Sequence, residues 1–421
     1  MLKLLKNLLK EHNLDGYVIP KNDEFFSEYS FPNRLKFISN FSGSAGLSIV
    51  MNDKNLLFVD GRYTLQAKIE CGKNFQIFEV PKIRPYDIIK KIKKKLTLGF
   101  DPNLFTKTSL EYNFKNSCNL IPINNNLIDK IFKLNKNYKI KEFYSLNENA
   151  SGEKTISKLK RLNKILKKKK LDNIFVSAPE NCAWLLNIRG YDNPNSPIPN
   201  CQLIFDKYKN IYLFTNIKKI KKIKNSFKYK KIKFFEFSEF PNIINMLKGK
   251  NFSIDRNTCS IFNRSIILSK FNIKNHIDPC YELKAIKNST EIKNMANAHI
   301  EDGVALTKFL YWIKNLKINN LTEKKIERKL ESFRKRSKNY LYPSFDTIAG
   351  SGPNGAIIHY RSDKHSNRKL KKDDLLLLDS GGQYKWGTTD VTRTICFSNV
   401  SNKVKNVFTR VLKGHIAVAL S

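Results

Sequence analysis

The sequence of 421 residues predicts two α/β domains of related plan, followed by an α+β domain. The first block alternates helical stretches with short apolar strands such as residues 56–60. The second block repeats the order helix, strand, polar turn, and its segment 171–177 is similar to segment 14–20. The third block opens with two helices and continues with short strands, a pattern typical of helices that cover a curved antiparallel sheet. We place the domains at residues 1–148, 149–282 and 283–421.

Local signals support the elements of the first two blocks. The leucines of the first ten residues have amphipathic helix spacing, which predicts a helix packed on the core and not a targeting peptide. A strand is expected to begin at Gly16, and the polar stretch 147–153 indicates a linker. The basic segment 154–170 then predicts a helix, and residues 173–177 predict a strand.

In the third block, Asn288 and Glu291 have the spacing of a capping box at the start of a long helix. A second helix is expected to begin at Thr322, and residues 355–360 are expected to form a strand. The apolar stripe predicted for the long helix consists of Ile292, Met295, Ala296, Leu306, Phe309, Leu310 and Ile313.

The composition excludes several classes of function. The net charge of +40 comes almost entirely from lysine, and the densest run, residues 218–233, is interpreted as a helix and a strand with solvated lysine faces. Arginine, which suits bidentate phosphate contacts, is not concentrated there, so nucleic-acid binding is not expected. No apolar run approaches the roughly 18 to 20 residues that cross a bilayer, so no membrane partner is expected. Seven cysteines without a Cys-x-x-Cys pair indicate buried thiols in a reducing compartment, and hence a cytoplasmic protein.

Two aspartates, Asp379 and Asp390, are the strongest chemical signal. The apolar run 375–378 predicts a buried strand that carries Asp379 at its end, and residues 388–397 predict the returning strand after a glycine-rich turn. Asp390 would share one face of that strand with Thr392 and Thr394. Two close carboxylates repel each other unless a cation lies between them, which indicates a divalent metal. A structural hairpin with turn and cap aspartates, or a lone structural cation, is the alternative.

The histidines are weaker candidates. His359, on the predicted strand before the hairpin, could hydrogen-bond a substrate carbonyl or carry a proton, or it could be a core histidine. His415 could be a third ligand, although its apolar neighbourhood favours packing. His365 lies in a polar loop and is expected to be inert. The glycine-rich segment 350–355 leads into a strand and lacks a Gly-Lys-Ser/Thr ending, so it is expected to be a turn and not a phosphate loop.

Longer segments resemble a known family. Segments 352–360 (GPNGAIIHY), 378–394 (LDSGGQYKWGTTDVTRT) and 411–416 (VLKGHI) closely resemble the catalytic domain of Xaa-Pro aminopeptidases, which are pita-bread metallopeptidases. Segments 43–46 (GSAG) and 59–67 (VDGRYTLQA) resemble the creatinase-type N-terminal domain. Segment 183–190 (AWLLNIRG), with the Asn-Pro pair that follows it, resembles the second domain of the three-domain form.

The resemblance implies two creatinase-N-like α/β domains followed by a pita-bread catalytic domain. It implies removal of the N-terminal residue from peptides with proline in second position, with two divalent metal ions, typically Mn²⁺. By the family pattern, Asp379 binds one metal, Asp390 bridges both, and His359 contacts the substrate near the scissile carbonyl. Relatives commonly form homodimers, so a homodimer is expected.

One departure from the family pattern qualifies these expectations. The family's later ligands, one histidine and two glutamates, have no counterpart after Asp390 in this sequence. We therefore expect the pita-bread domain to be incomplete at its C-terminus, and the 421-residue chain alone to bind metal poorly and not to turn over. A prolidase-like dipeptidase and a non-catalytic pita-bread binding module are the alternative functions.

Overall fold

The computed structural model describes residues 1–27, 29, 31–132, 140–226, 229, 231–316, 320–362 and 366–421. These residues form two compact units, Met1–Glu291 and Ile292–Ser421. Among the described residues, none of the helices combines the length and the apolar character that crossing a bilayer requires.

The first unit contains two six-stranded sheets and their helices. Its helices are α1 (Leu2–Glu11), α2 (Arg34–Ser39), α3 (Thr64–Cys71), α4 (Pro85–Ile89), α5 (Lys107–Phe114), α6 (Leu127–Ile131), α7 (Glu148–Ser151), α8 (Thr155–Lys168), α9 (Pro179–Leu186), α10 (Phe240–Met246), α11 (Ile261–Leu268) and α12 (Pro279–Ala285). Its strands are β1 (Gly16–Pro20), β2 (Leu47–Met51), β3 (Asn55–Asp60), β4 (Gln76–Val80), β5 (Thr97–Phe100), β6 (Asn119–Pro122), β7 (Tyr144–Ser145), β8 (Asn173–Val176), β9 (Ile188–Arg189), β10 (Gln202–Asp206), β11 (Ile211–Phe214), β12 (Ile232–Phe235), β13 (Asn251–Ile254) and β14 (Asn272–Asn275).

The two sheets share one topology, which confirms the predicted repeat. Their strand orders are β4-β3-β2-β1-β5-β6 and β12-β11-β10-β8-β13-β14. Strand β1 is antiparallel to β2 and parallel to β5, and β8 is antiparallel to β10 and parallel to β13 in the same way. The similar segments 14–20 and 171–177 therefore hold the equivalent central strands of the two sheets.

The helix predicted at the N-terminus is present, and its leucines Leu5 and Leu9 are fully buried. The expected linker 147–153 instead contains α7, because the Asn147 side chain caps it by accepting a hydrogen bond from the Ala150 N–H at 3.0 Å. Strand β7, just before it, pairs with β9, and Phe143 lies in the core of the second sheet. The domain boundaries drawn after residues 148 and 282 stay predictions, and this pairing favours an earlier first boundary.

Two predictions about composition need correction. The lysine-rich run was expected to contain a helix, but in its described part residues Ile217–Ile220 and Lys224–Ser226 form short 3₁₀ turns before β12. All seven cysteines are free, and six of them are buried as expected. Cys396 is exposed at the end of the edge strand β20.

Lys158 on α8 is buried, and its pKa is lower than that of an ordinary lysine. Its ammonium donates to the Trp184 carbonyl oxygen at 2.8 Å and to Asn187 Oδ1 at 2.7 Å, and it lies 4.4 Å from the centre of a Trp184 ring. Burial lowers the pKa of Lys158 from 10.5 to about 8, against the opposing charges of Glu291 and Glu153.

We expect this buried lysine to make the free energy of unfolding increase with pH in the alkaline range. Since the folded pKa lies below the unfolded value, its contribution to the free energy of unfolding is complete above about pH 10.5 and decreases by about 3 kcal/mol as the pH falls to 8. Urea unfolding of the wild type and of Lys158→Met at pH 7.5 and 10 checks this. The wild type should gain stability relative to the variant at the higher pH, and a difference independent of pH would contradict the prediction.

The second unit is α+β, as predicted. Its helices are α13 (Ser289–Lys314, of which the first three residues belong to the first unit), α14 (Glu323–Arg334) and α15 (Asn402–Leu420). Its strands are β15 (Tyr340–Pro343), β16 (Ile348–Ser351), β17 (Leu375–Ser380), β18 (Gly382–Tyr384), β19 (Gly387–Thr388) and β20 (Val391–Cys396). They form two antiparallel sheets in the orders β16-β17-β20 and β15-β18-β19.

Helices α13 and α14 cover one face of the β16-β17-β20 sheet. The residues of this core are Ala305, Leu306, Phe309, Ile313, Leu321, Ile326, Leu330, Phe333, Ala349, Leu370, Leu376, Leu378 and Ile395. Asn288 and Glu291 form the predicted capping box, since each backbone N–H donates to the other's side chain at 2.9 Å. Because β17 alternates its side chains between faces, Leu376 and Leu378 are buried against the helices while Asp379 points to the opposite face.

The stripe predicted for α13 is correct only in its second half. Leu306, Phe309 and Ile313 are buried, but the Ile292 side chain is 59% exposed and Met295 and Ala296 are exposed as well. In the first half of the helix the sequence offers apolar residues on several faces. Burial follows the face of Ala298, Asp302 and Ala305, which lines up with Phe309 at helical spacing.

Candidate metal centre

Asp379 lies at the end of the central strand β17. It is paired with Thr392 on β20 and with Ile348 on β16. The Thr392 hydroxyl donates to Asp379 Oδ1 at 2.9 Å, which restricts the orientation of the carboxylate. The side chain is partly buried and lies on the sheet face that the helices do not cover. This placement agrees with the prediction that an apolar strand carries Asp379 at its end.

Asp390 immediately precedes β20 and is exposed. It was expected inside the returning strand, but the chain between Asp379 and Asp390 is more than a turn. Strands β18 and β19 form a hairpin there, and this hairpin pairs with β15 in a separate sheet. The connection therefore returns to the first sheet only at Val391, one residue after Asp390.

Asp379 lies within electrostatic range of both Asp390 and His359. Burial raises the pKa of Asp379, and the negative charge of Asp390 raises it further. The hydrogen bond from Thr392 and the charge of His359 lower the same pKa. A carboxylate that is destabilised by burial and by a second carboxylate gains most from a bound cation. The donor set of this pair, oxygen atoms of two carboxylates, therefore fits a hard divalent metal.

His359 is not on a strand, contrary to the prediction. Residues Gly352–Ala356 form a 3₁₀ helix, and His359 follows in a turn with φ of +55°, exposed to solvent. Gly352 also has a positive φ, and with Pro353 at the next position the chain turns instead of extending. In the segment 350–355, Gly350 and Ser351 end β16 and residues 352–355 turn as expected, but the turn continues through the residues that were predicted as a strand.

The other histidines add no ligand. His415 is exposed on α15, so the expected packing of this histidine is wrong for the described residues. His365 lies outside the described residues. Across the described part of the chain, no group of three or more His, Cys, Asp or Glu side chains is arranged to hold a metal ion. The aspartate pair is therefore an incomplete ligand set.

The sequence analysis did not predict the buried charged residues that hydrogen-bond to the segments carrying His359 and Asp379. Glu323 is buried and accepts hydrogen bonds from the segment that carries His359. Asp302 and Arg334 form a buried ion pair that reaches Ser380, the neighbour of Asp379. The available signals were weak, because an acidic residue in the first turn of a helix and a charge on an amphipathic helix are common.

Comparison with known proteins identifies the family. Models of the creatinase/prolidase N-terminal domain match residues 1–131 and 134–291, and the model of metallopeptidase family M24 matches residues 293–420. A Xaa-Pro aminopeptidase of Dictyostelium discoideum is 34% identical over 99% of this chain and 70% of its own length. The chain belongs to the Xaa-Pro aminopeptidase family. A probable Xaa-Pro aminopeptidase P of Laccaria bicolor is 32% identical over 99% of this chain and 67% of its own length.

The structural comparison agrees with this family. An X-prolyl aminopeptidase of Caenorhabditis elegans, described as a cytosolic enzyme with a di-nuclear active site, superposes with a TM-score of 0.88 and 28% identity. It matches 96% of this chain and 70% of its own length. The resemblance found in the sequence is confirmed, and so are the creatinase-N-like and pita-bread folds. The metallopeptidase family and the di-nuclear site of the nematode enzyme support two divalent metal ions as the cofactor.

Proposed function

We propose that this member of the Xaa-Pro aminopeptidase family removes the N-terminal residue from peptides whose second residue is proline. The observation that carries the proposal is that Asp379, at the end of β17, lies close enough to Asp390 and His359 for the charges of both to act on its carboxylate. A binding module without catalytic activity would not require two mutually repelling carboxylates beside a histidine. This argues against a non-catalytic binding module.

Asp379 and Asp390 are proposed as ligands of two Mn²⁺ ions. When bound, the ions would polarise the scissile carbonyl and activate a water molecule. Thr392 orients the Asp379 carboxylate by donating its hydroxyl to Oδ1 at 2.9 Å. Asp390 is exposed just before β20, where its carboxylate would be accessible to a metal ion. Further ligands are required, because two carboxylates do not complete a dinuclear centre.

His359 is proposed to contact the substrate. An exposed imidazole beside a metal-binding carboxylate can donate a ring N–H to the scissile carbonyl oxygen and stabilise the negative charge that develops there. The proposed preference for proline in second position is supported by the similarity to Xaa-Pro aminopeptidases.

A peptidase assay tests this function. The protein expressed from its full reading frame with Mn²⁺ should release the first residue of an Arg-Pro-Pro peptide and leave the matching Arg-Ala-Ala peptide intact. Cleavage of Xaa-Pro dipeptides in preference to longer peptides would instead indicate a prolidase-like enzyme. Absence of release from the Arg-Pro-Pro peptide would contradict the proposal.

Location and assembly are proposed on narrower grounds. A cytoplasmic protein is supported by seven free cysteines and by the cytosolic nematode relative. A homodimer is proposed from the family resemblance, and light scattering coupled to size-exclusion chromatography would measure the mass directly.

A further inference from the structure

Glu323, the first residue of α14, is a fully buried carboxylate that is saturated with hydrogen bonds. Its Oε1 accepts from the Ser351 N–H at 2.7 Å and from Asn354 Nδ2 at 3.0 Å. Its Oε2 accepts from the Arg368 N–H at 2.9 Å and lies 2.6 Å from the Tyr360 hydroxyl, which has the Ser366 carbonyl oxygen as a second acceptor. None of the ion pairs found among the described residues includes Glu323, so these four donors and the N-terminus of α14 stabilise its charge.

The four donors belong to the segment that carries His359. Ser351 ends β16, Asn354 lies in the 3₁₀ helix, Tyr360 follows His359 directly, and Arg368 lies where the chain returns to α14. One carboxylate thus ties the beginning, the middle and the end of this segment to a helix of the unit's core. A second contact reinforces the first, because Asn354 Nδ2 also donates to the Tyr360 hydroxyl oxygen at 2.9 Å.

His359 depends on these contacts for its position. Its backbone has φ of +55°, a conformation that costs energy for a residue with a side chain and persists only where the surroundings impose it. No strand pairing holds the described part of the segment between Ser351 and Arg368. Tyr360 is 5% exposed while His359 is exposed, so the buried tyrosine anchors the turn and the histidine projects from it.

We propose that Glu323 and Tyr360 are positioning residues that hold His359 at the aspartate pair. Their catalytic consequence rests on the proposed peptidase function, whereas the positioning of the histidine does not. The hydrogen bond from Tyr360 to Glu323 fixes the backbone at position 360, and through it the direction in which the His359 imidazole leaves the chain. Misplacing a group by about 1 Å can cost up to about 100-fold in rate.

Tyr360→Phe tests this inference, because it removes the donated proton and keeps the ring. The matched control is Tyr340→Phe, which removes a buried hydroxyl that makes no hydrogen bond. Asn354→Ala is a second, milder variant that loses the contacts to both Glu323 and Tyr360. The first readout is the ¹H–¹³C spectrum of the six histidines at one fixed pH, with His359 assigned from His359→Gln.

We expect Tyr360→Phe and Asn354→Ala to shift the His359 signal and Tyr340→Phe to leave it unchanged. The unfolding temperatures of Asn354→Ala and of the control Tyr340→Phe should be similar. The second readout is turnover by the Mn²⁺-loaded full reading frame, where kcat should fall about 10- to 100-fold in Tyr360→Phe while KM changes less than about twofold. An unmoved His359 signal in both variants overturns the inference. A moved signal with unchanged kcat overturns its catalytic part. If the wild type lacks peptidase activity, the proposed function fails and the spectrum alone decides the positioning.

Discussion

Replacing Asp379 or Asp390 by alanine is expected to abolish peptidase activity. Each carboxylate is a proposed ligand of the metal ions, and metal polarisation of a carbonyl contributes several kcal/mol of transition-state stabilisation. Its loss corresponds to a decrease in kcat/KM of about 10³-fold or more. Asp379→Ala also leaves the Thr392 hydroxyl without its acceptor, but this exposed hydrogen bond contributes little to stability.

The assay measures release of the N-terminal residue from an Xaa-Pro peptide, and calorimetry measures bound Mn²⁺. The control is Asp373→Asn, an exposed carboxylate of the same unit whose described contact is a 3.3 Å hydrogen bond from Ser398. This control should keep both activity and metal. Undiminished activity in both Asp379→Ala and Asp390→Ala would show that the pair is not the catalytic metal site.

Replacing Arg334 by methionine is expected to lower the free energy of unfolding of the second unit by about 3 to 5 kcal/mol. Arg334 Nε and Nη2 donate to the two carboxylate oxygens of Asp302 at 2.7 and 3.0 Å, and Nη2 also donates to Ser380 Oγ at 3.1 Å. The Tyr384 hydroxyl donates to Asp302 Oδ1 at 2.9 Å. Both charged side chains are buried, at 2% and 5% exposure, so the single variant leaves a buried carboxylate without its cation.

Urea unfolding of Arg334→Met measures this loss. The double variant Asp302→Leu with Arg334→Met should recover most of it, since an apolar pair of similar volume removes the uncompensated charge. A single variant within 1 kcal/mol of the wild type, or a double variant no better than the single one, would contradict this account. Because Ser380 follows Asp379 in β17, the single variant should also weaken metal binding at the aspartate pair.

Patterns that are local in the chain predicted much of the fold. The repeated helix-strand order, the leucine spacing of α1, and the capping box of Asn288 and Glu291 each express an interaction within a few residues. The strand that carries Asp379 was equally clear, because a short apolar run followed by glycines has few other interpretations.

The predictions that failed depended on residues distant in sequence. The strand expected at residues 355–360 became a 3₁₀ helix and a turn, because this segment hydrogen-bonds to Glu323, more than thirty residues before it in the chain. The exposed first half of the predicted α13 stripe has a similar cause. Which face of a helix is buried is decided by the elements packed on it, and Asp302 is buried on that face in an ion pair with Arg334 of α14.

The sequence by itself determined the family, the repeated α/β plan and the two aspartates, since motifs and periodicity are properties of adjacent residues. Only the tertiary structure decided how His359 is held. It also revealed Glu323, Tyr360, Asp302 and Arg334 as the supports beneath the candidate site. Side-chain hydrogen bonds across long stretches of chain leave no periodic trace, so their partners become visible only once the chain is folded.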